Sequence, residues 1–336
     1  MTSNSLQRPS ALAPAPGLAP VLLIACALLA LLFALRPIPL TSDDEFYLEY
    51  FSGYREFGDD LLFAIIDEPV FKLYTNALYG LFSPEFNTRL LILLTVVPHA
   101  LVARALGGWR GWLYVACYFL FVELAPHLSW VQLRQGFAVG LLALFFHVTR
   151  ERWRVGTALV LGLVHTSLLM LLPCFAIGSM KNRRLAYGIV IGLALVLVAL
   201  PDLASLLSFG LGRRESAYLD EAGTYSASYV IFSAGLIGYV TWLARDGSND
   251  DRLLVYHAIC ALVLPMFYMN TFGAFAERLY FVARWYEVSI VVRSQRPRAA
   301  LVGAGYLALN LVYTVYHSFA NYGSGGFLDR YLSLLG

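Results

Sequence analysis

Three groups of residues in this chain have types and spacings suited to chemistry. Arg134 and Gln135 head an apolar run. His165 stands with Thr166 and Ser167 in the middle of another. Asp43, Asp44 and Glu68 belong to an acidic, aromatic segment upstream. A guanidinium binds phosphate through two parallel hydrogen bonds and stays charged at any relevant pH. A helix N-terminus beside it adds a favourable dipole for an anion. An imidazole can orient a pyrophosphate or a hydroxyl, or carry a proton. A carboxylate within hydrogen-bond reach can take the proton of an attacking hydroxyl. Together these residues suit transfer from a phosphorylated donor to a hydroxyl acceptor, with the three carboxylates left as alternative bases. Arg278 and Arg284 form a further basic pair. Six residues of helix place them on different stripes, so Arg278 is expected as the second phosphate contact, with Glu277 or Glu287 neutralising one of the two. The plainer readings are an interfacial anchor for Arg134 and a hydrogen-bonded core residue for His165.

Several chemistries lack their marks. No GxGxxG, P-loop, HExxH or GxSxG pattern occurs, and no His/Cys cluster has metal-ligand spacing. We expect neither a metal nor another cofactor. Cys26, Cys117, Cys174 and Cys260 are scattered through apolar runs and read as core residues. Leu23 to Cys26 faintly matches a lipoprotein cleavage box, but the apolar run continues to Leu35, which favours an uncleaved helix. Nucleic acid is excluded as a partner, because no basic face or aromatic-basic module is present.

The elements that must position these residues are apolar helices. The chain has 336 residues, 59% hydrophobic and 14% charged, with mean hydropathy +0.66. A soluble domain would carry about 25% charged residues. This composition predicts an all-α polytopic membrane protein with about 9–11 spanning helices, since spans need roughly 20 apolar residues each. Residues 1–18 read as a cytoplasmic tail. Residues 19–320 form one membrane domain, in which 37–88 is an outer loop with amphipathic helices and 202–227 a second outer loop. Residues 321–336 form an outer tail. Pro37 and Pro39 stop the first span, and Pro69 opens a short or re-entrant helix.

Basic residues concentrate on the cytoplasmic side of a membrane. The run 155–178 has basic clusters at both ends, Arg150/Arg152/Arg154 and Lys181/Arg183/Arg184, yet only one helix length between them. Two half-helices with their apex at His165–Ser167 would put every basic cluster inside and Asp43, Glu68 and Arg134 outside. A plain helix with one misplaced flank is the alternative. Backbone broken at mid-membrane depth must be buried in protein or line a cavity.

These pieces resemble the EpsG family, which is related to Wzy-type polysaccharide polymerases. The likeness lies in Asp43-x-x-x-Tyr47, Glu68-Pro69-x-Phe71, Arg134-Gln135-x-x-Ala138, His165-x-Ser167 and Arg278-x-x-x-x-x-Arg284. The His-Thr-Ser triplet departs from the His-Pro-Ser expected of many relatives. The resemblance implies a GT-C-like, metal-independent membrane glycosyltransferase of the bacterial inner membrane, with its active site facing the periplasm. It would join repeat units carried on undecaprenyl diphosphate. Partners would include that lipid-linked oligosaccharide, membrane lipids, and a chain-length regulator and flippase of the same pathway. In this reading Asp43, Asp44, Glu68 and His165 are the catalytic candidates. Tyr47, Arg134, Gln135, Ser167, Arg278 and Arg284 are the substrate-binding candidates. The rivals are a transporter of lipid-linked sugars and a membrane acyltransferase. His165 has no acidic residue near it in sequence, which counts against the acyltransferase.

Overall fold

The computed structural model describes residues 18–39, 41–56, 68–121, 128–129, 132–148, 154–199, 234–235, 237–238, 250–264, 273–293, 301 and 303–312. Among these residues all regular structure is helical. The 202–227 loop, the tail before Leu18 and the tail from 321 onward lie outside them.

Helix α1, Leu18–Ala34, is an uninterrupted apolar run. Its exposed residues Val21, Ile24, Leu28, Leu31 and Leu32 recur at helical spacing and form an apolar outer stripe. The short α2, Ser42–Ser52, starts where Asp44 accepts a hydrogen bond from the Thr41 backbone N–H at 3.0 Å. Asp44 also holds Arg36 through two bonds of 2.6 Å, and both residues are buried. That pair joins the end of α1 to the start of α2. Helix α3, Pro69–Leu78, opens on proline, whose missing N–H costs nothing in a first turn.

Helix α4, Pro84–Leu106, is capped by the Ser83 hydroxyl. It is the one helix among the described residues that is long and apolar enough to cross a membrane. Arg89, near its start, bonds to the Arg36 carbonyl at 3.0 Å and to Glu85 at 2.6 Å. Next, α5, Gly108–Val115, widens into a π-helical stretch, Ala116–Phe121. Helix α6, Leu133–Val148, follows and packs along α4.

The run expected to break at His165 does so. Helix α7 covers Arg154–Val164, a 3-10 segment covers Thr166–Met170, and α8 covers Leu171–Gly178. His165 between them has extended backbone, φ −150 and ψ 121. Helices α7 and α8 pack against each other. A continuous helix would hold Val164 and Leu171 about 10 Å apart, so the chain must fold back. Gly162 makes this possible, because a Cβ there would run into the Leu169 side chain.

Helix α9, Arg183–Ala199, shows a second exposed apolar set at Leu185, Ile191, Leu195 and Val196. Helix α10, Asp250–Ala258, continues into a π-helical turn, Ile259–Val263. Helix α11, Gly273–Arg293, is largely buried from Leu279 onward, and α12, Gly303–Val312, lies beside it. Among the described residues, α11 packs against α5, α6 and α10.

The bundle requires one close approach beside the site. A Cβ on Gly136, in the first turn of α6, would meet the backbone carbonyl of Leu128. Backbone cannot yield as a side chain can. Gly136→Ala is therefore expected to lower stability by about 1–3 kcal/mol, read as a lower thermal midpoint of detergent-purified protein.

Candidate functional site

Glu68 is the centre of the site, and its backbone marks it first. It has φ 57 and ψ 63, the only positive φ at a non-glycine among the described residues. Such a conformation is strained for a residue with a Cβ, and it persists where surrounding contacts hold it. The contacts are on the carboxylate. Oε2 accepts from Arg134 Nη1 at 2.6 Å. Oε1 is hydrogen-bonded to His165 Nδ1, and the Thr166 hydroxyl stands 3.5 Å from the same oxygen. Glu68 and His165 are buried, while the Arg134 side chain keeps 17% of its surface exposed. Three distant stretches, the N-cap of α3, the head of α6 and the bend between α7 and α8, thus meet on one carboxyl group.

Each residue is aimed by its element. Arg134 lies in the first turn of α6, where backbone N–H groups lack intrahelical partners. Tyr47 Oη accepts the Arg134 N–H at 3.2 Å, so Tyr47 anchors that helix end. Burial raises the Tyr47 pKa, with the Arg134 charge acting the other way, and the hydroxyl stays protonated. The Arg134 guanidinium lies 4.8 Å above the Phe46 ring and 5.6 Å from that of Phe71. His165 projects from the one extended residue between two helical pieces, and its carbonyl accepts from Leu168 at 3.0 Å. Ser167, two residues on, is buried, and its hydroxyl has no hydrogen-bond partner among the described residues. Gln135 is buried beside Arg134.

The other sequence candidates are placed differently. Asp44 is committed to Arg36 and to the start of α2. Asp43, next to it, is part-buried within electrostatic reach of Tyr47. Arg284 is buried on α11, bonded to Glu287 on the same helix and to Asn310 on α12. Glu287 also accepts from Tyr306 at 3.1 Å and pairs with His257 Nε2 at 2.9 Å. Arg284 therefore belongs to a second polar cluster, in which Glu287 supplies the neutralising charge. Arg278 lies on α11, but its side chain lies outside the described residues.

Sequence reasoning overlooked several members. It paired no acid with His165, because Glu68 is 97 positions away along the chain. It passed over Arg36, His257, Tyr306 and Asn310. The last three stand out by the same signal that exposed His165, a polar residue inside an apolar run.

The geometry gives a fixed chemical capacity. With Nδ1–H donated to a carboxylate, the imidazole presents Nε2 as its basic nitrogen. The guanidinium beside it is a ready anion ligand. Among the described residues, no three His, Cys, Asp or Glu side chains are grouped to hold a metal ion.

No curated protein and no solved structure matches the chain. The family model described as EpsG family matches residues 21–329, nearly its whole length. The chain belongs to the EpsG family, a family of Wzy-type polysaccharide polymerases.

Proposed function

We propose that this protein polymerises polysaccharide repeat units by glycosyl transfer between undecaprenyl-diphosphate-linked glycans at the periplasmic face of the inner membrane. The family supports the polymerase role in general. The observation that carries the mechanism is the meeting of Arg134 and His165 on Glu68.

The acceptor hydroxyl gives its proton to His165 Nε2 while its oxygen bonds to the anomeric carbon of the donor. Glu68 holds the imidazole in the required tautomer and stabilises the cation that forms. The bond from the anomeric carbon to the diphosphate oxygen breaks. Arg134 takes the charge that develops on the diphosphate, a task suited to a preorganised donor. Diphosphate and Glu68 compete for the same guanidinium, so donor binding draws Arg134 from the carboxylate and leaves Glu68 to serve His165. Asp43 and Asp44 support α2 in this scheme. Gln135 and Ser167, buried next to Arg134 and His165 in the chain, are assigned to substrate binding in this scheme.

The membrane setting is supported by mean hydropathy +0.66, by the span α4, and by the exposed apolar stripes of α1 and α9. The end that gathers Asp44, Glu68, Arg89, Arg134 and His165 faces the periplasm. A flippase and a chain-length regulator act as neighbours in the pathway.

One observation favours a second reading. A His–Glu pair also meets the need of an acyltransferase for a committed base. Product analysis separates the two. Purified protein in liposomes is given lipid-linked repeat units, and products are sized by gel. A ladder of longer glycans with release of undecaprenyl diphosphate is expected. Arg134→Ala is expected to slow it about 100-fold or more. Acylated but unextended repeats would establish the acyltransferase instead.

A further inference from the structure

The unit formed by α2 and α3 carries a row of rings that the transfer chemistry does not use. Phe46 and Tyr50, four residues apart on α2, stand side by side with ring centroids 5.2 Å apart. The Arg134 guanidinium lies over Phe46 at one end of this row. The Arg55 guanidinium lies 4.4 Å over Tyr50 further along. Tyr54, the chain neighbour of Arg55, packs edge to face on Tyr79 at 6.5 Å. Phe46 is 41% exposed, Tyr54 62% and Tyr79 46%.

The segment carrying Tyr54 and Arg55 is not loose. The Arg55 N–H donates to Asn76 Oδ1 at 2.9 Å, and Asn76 Nδ2 donates back to the Arg55 carbonyl at 2.8 Å. Arg55 also donates to the Glu49 carbonyl at 3.2 Å. Rigid aromatic rings supply contact area with little conformational entropy left to lose on binding. A side-chain amide spent on fixing backbone beside exposed rings is a device for presentation.

A sugar ring offers what this row would hold. One face of a pyranose is lined by C–H bonds and stacks on an aromatic ring, while its edge carries hydroxyls. The Tyr50, Tyr54 and Tyr79 hydroxyls and the Arg55 guanidinium supply partners for that edge. A lipid chain has no use for the guanidinium or the hydroxyls. The row also starts at Arg134. If that residue holds the diphosphate, the sugar attached to it meets Phe46, and the following sugars meet Tyr50 and beyond.

We propose that Phe46, Tyr50, Arg55, Tyr54 and Tyr79 form a strip that binds the oligosaccharide beside the transfer site. This rests on the function proposed above, and the experiment separates the two. The probe is a set of oligosaccharides cleaved by mild acid from the cell's own surface polysaccharide. Their binding to detergent-purified protein is followed by saturation-transfer NMR. Sugar C–H signals are expected to take up saturation in wild type. Tyr54→Ala with Tyr79→Ala is expected to weaken binding about tenfold, and the exposure of both rings lets the fold tolerate the change. Phe46→Ala is expected to act in the same direction, with circular dichroism as the folding check.

Wild-type affinity in all these variants would overturn the strip. So would variants that keep glycan affinity but lose retention in vesicles, which would make the row a headgroup belt. A wild type that binds the glycan yet extends nothing would overturn the polymerase reading and leave the strip standing. A variant with Tyr54→Ala and Tyr79→Ala that extends chains as well as wild type would do the reverse.

Discussion

Glu68→Gln is expected to abolish chain extension while leaving the protein folded. The amide keeps the volume of the carboxyl group and a hydrogen-bonding oxygen. It loses the charge that pairs with Arg134 and that stabilises a protonated His165. General acid–base groups contribute about 10²–10⁴-fold, so the loss should fall in or above that range. His165→Asn should match it, and the double variant should be no worse than either single one, because the two residues act as a unit. The measurement is the initial rate of extension of lipid-linked repeats in liposomes, with the thermal midpoint taken in parallel. If Glu68→Gln extended chains at the wild-type rate, the carboxylate would have no part in proton transfer and the site would have to be sought elsewhere.

Glu287→Ala is expected to destabilise the fold by about 3–5 kcal/mol, the cost of leaving a buried charge uncompensated. Arg284, 3% exposed, would lose the Glu287 carboxylate it pairs with, and the cluster that links α10, α11 and α12 would open. The same principle predicts the repair. Glu287→Leu combined with Arg284→Met removes both charges together and should recover much of the loss. Thermal unfolding of the purified single and double variants decides this. Equal stability of Glu287→Ala and wild type would show that Arg284 finds another counter-charge.

The legibility of the chain differs from feature to feature. The bend at His165 was visible because basic flanks stood at both ends of a run too short for two spans. The helix headed by Arg134 was visible from its apolar run, and Pro69 announced the first turn of α3. The identity of the acid was not visible. Asp43, Asp44 and Glu68 look alike in sequence, all acidic residues in one aromatic segment. The fold distinguishes two of them sharply, since Asp44 is committed to Arg36 and Glu68 is brought to Arg134 and His165. Arg284, a substrate-binding candidate by sequence, is bonded to Glu287, one of the two acids that the sequence offered as its counter-charge.

These outcomes follow from the range of the forces involved. Hydrophobic periodicity, proline and caps act within a few residues, so the amino-acid order by itself determined the helices, their breaks and the family. An ion pair between residues 66 or 97 positions apart depends on which helix ends the packing brings together. In an apolar interior a charge must find a partner, but its choice is made by geometry, and only the tertiary structure decided that Glu68 would hold both the arginine and the histidine.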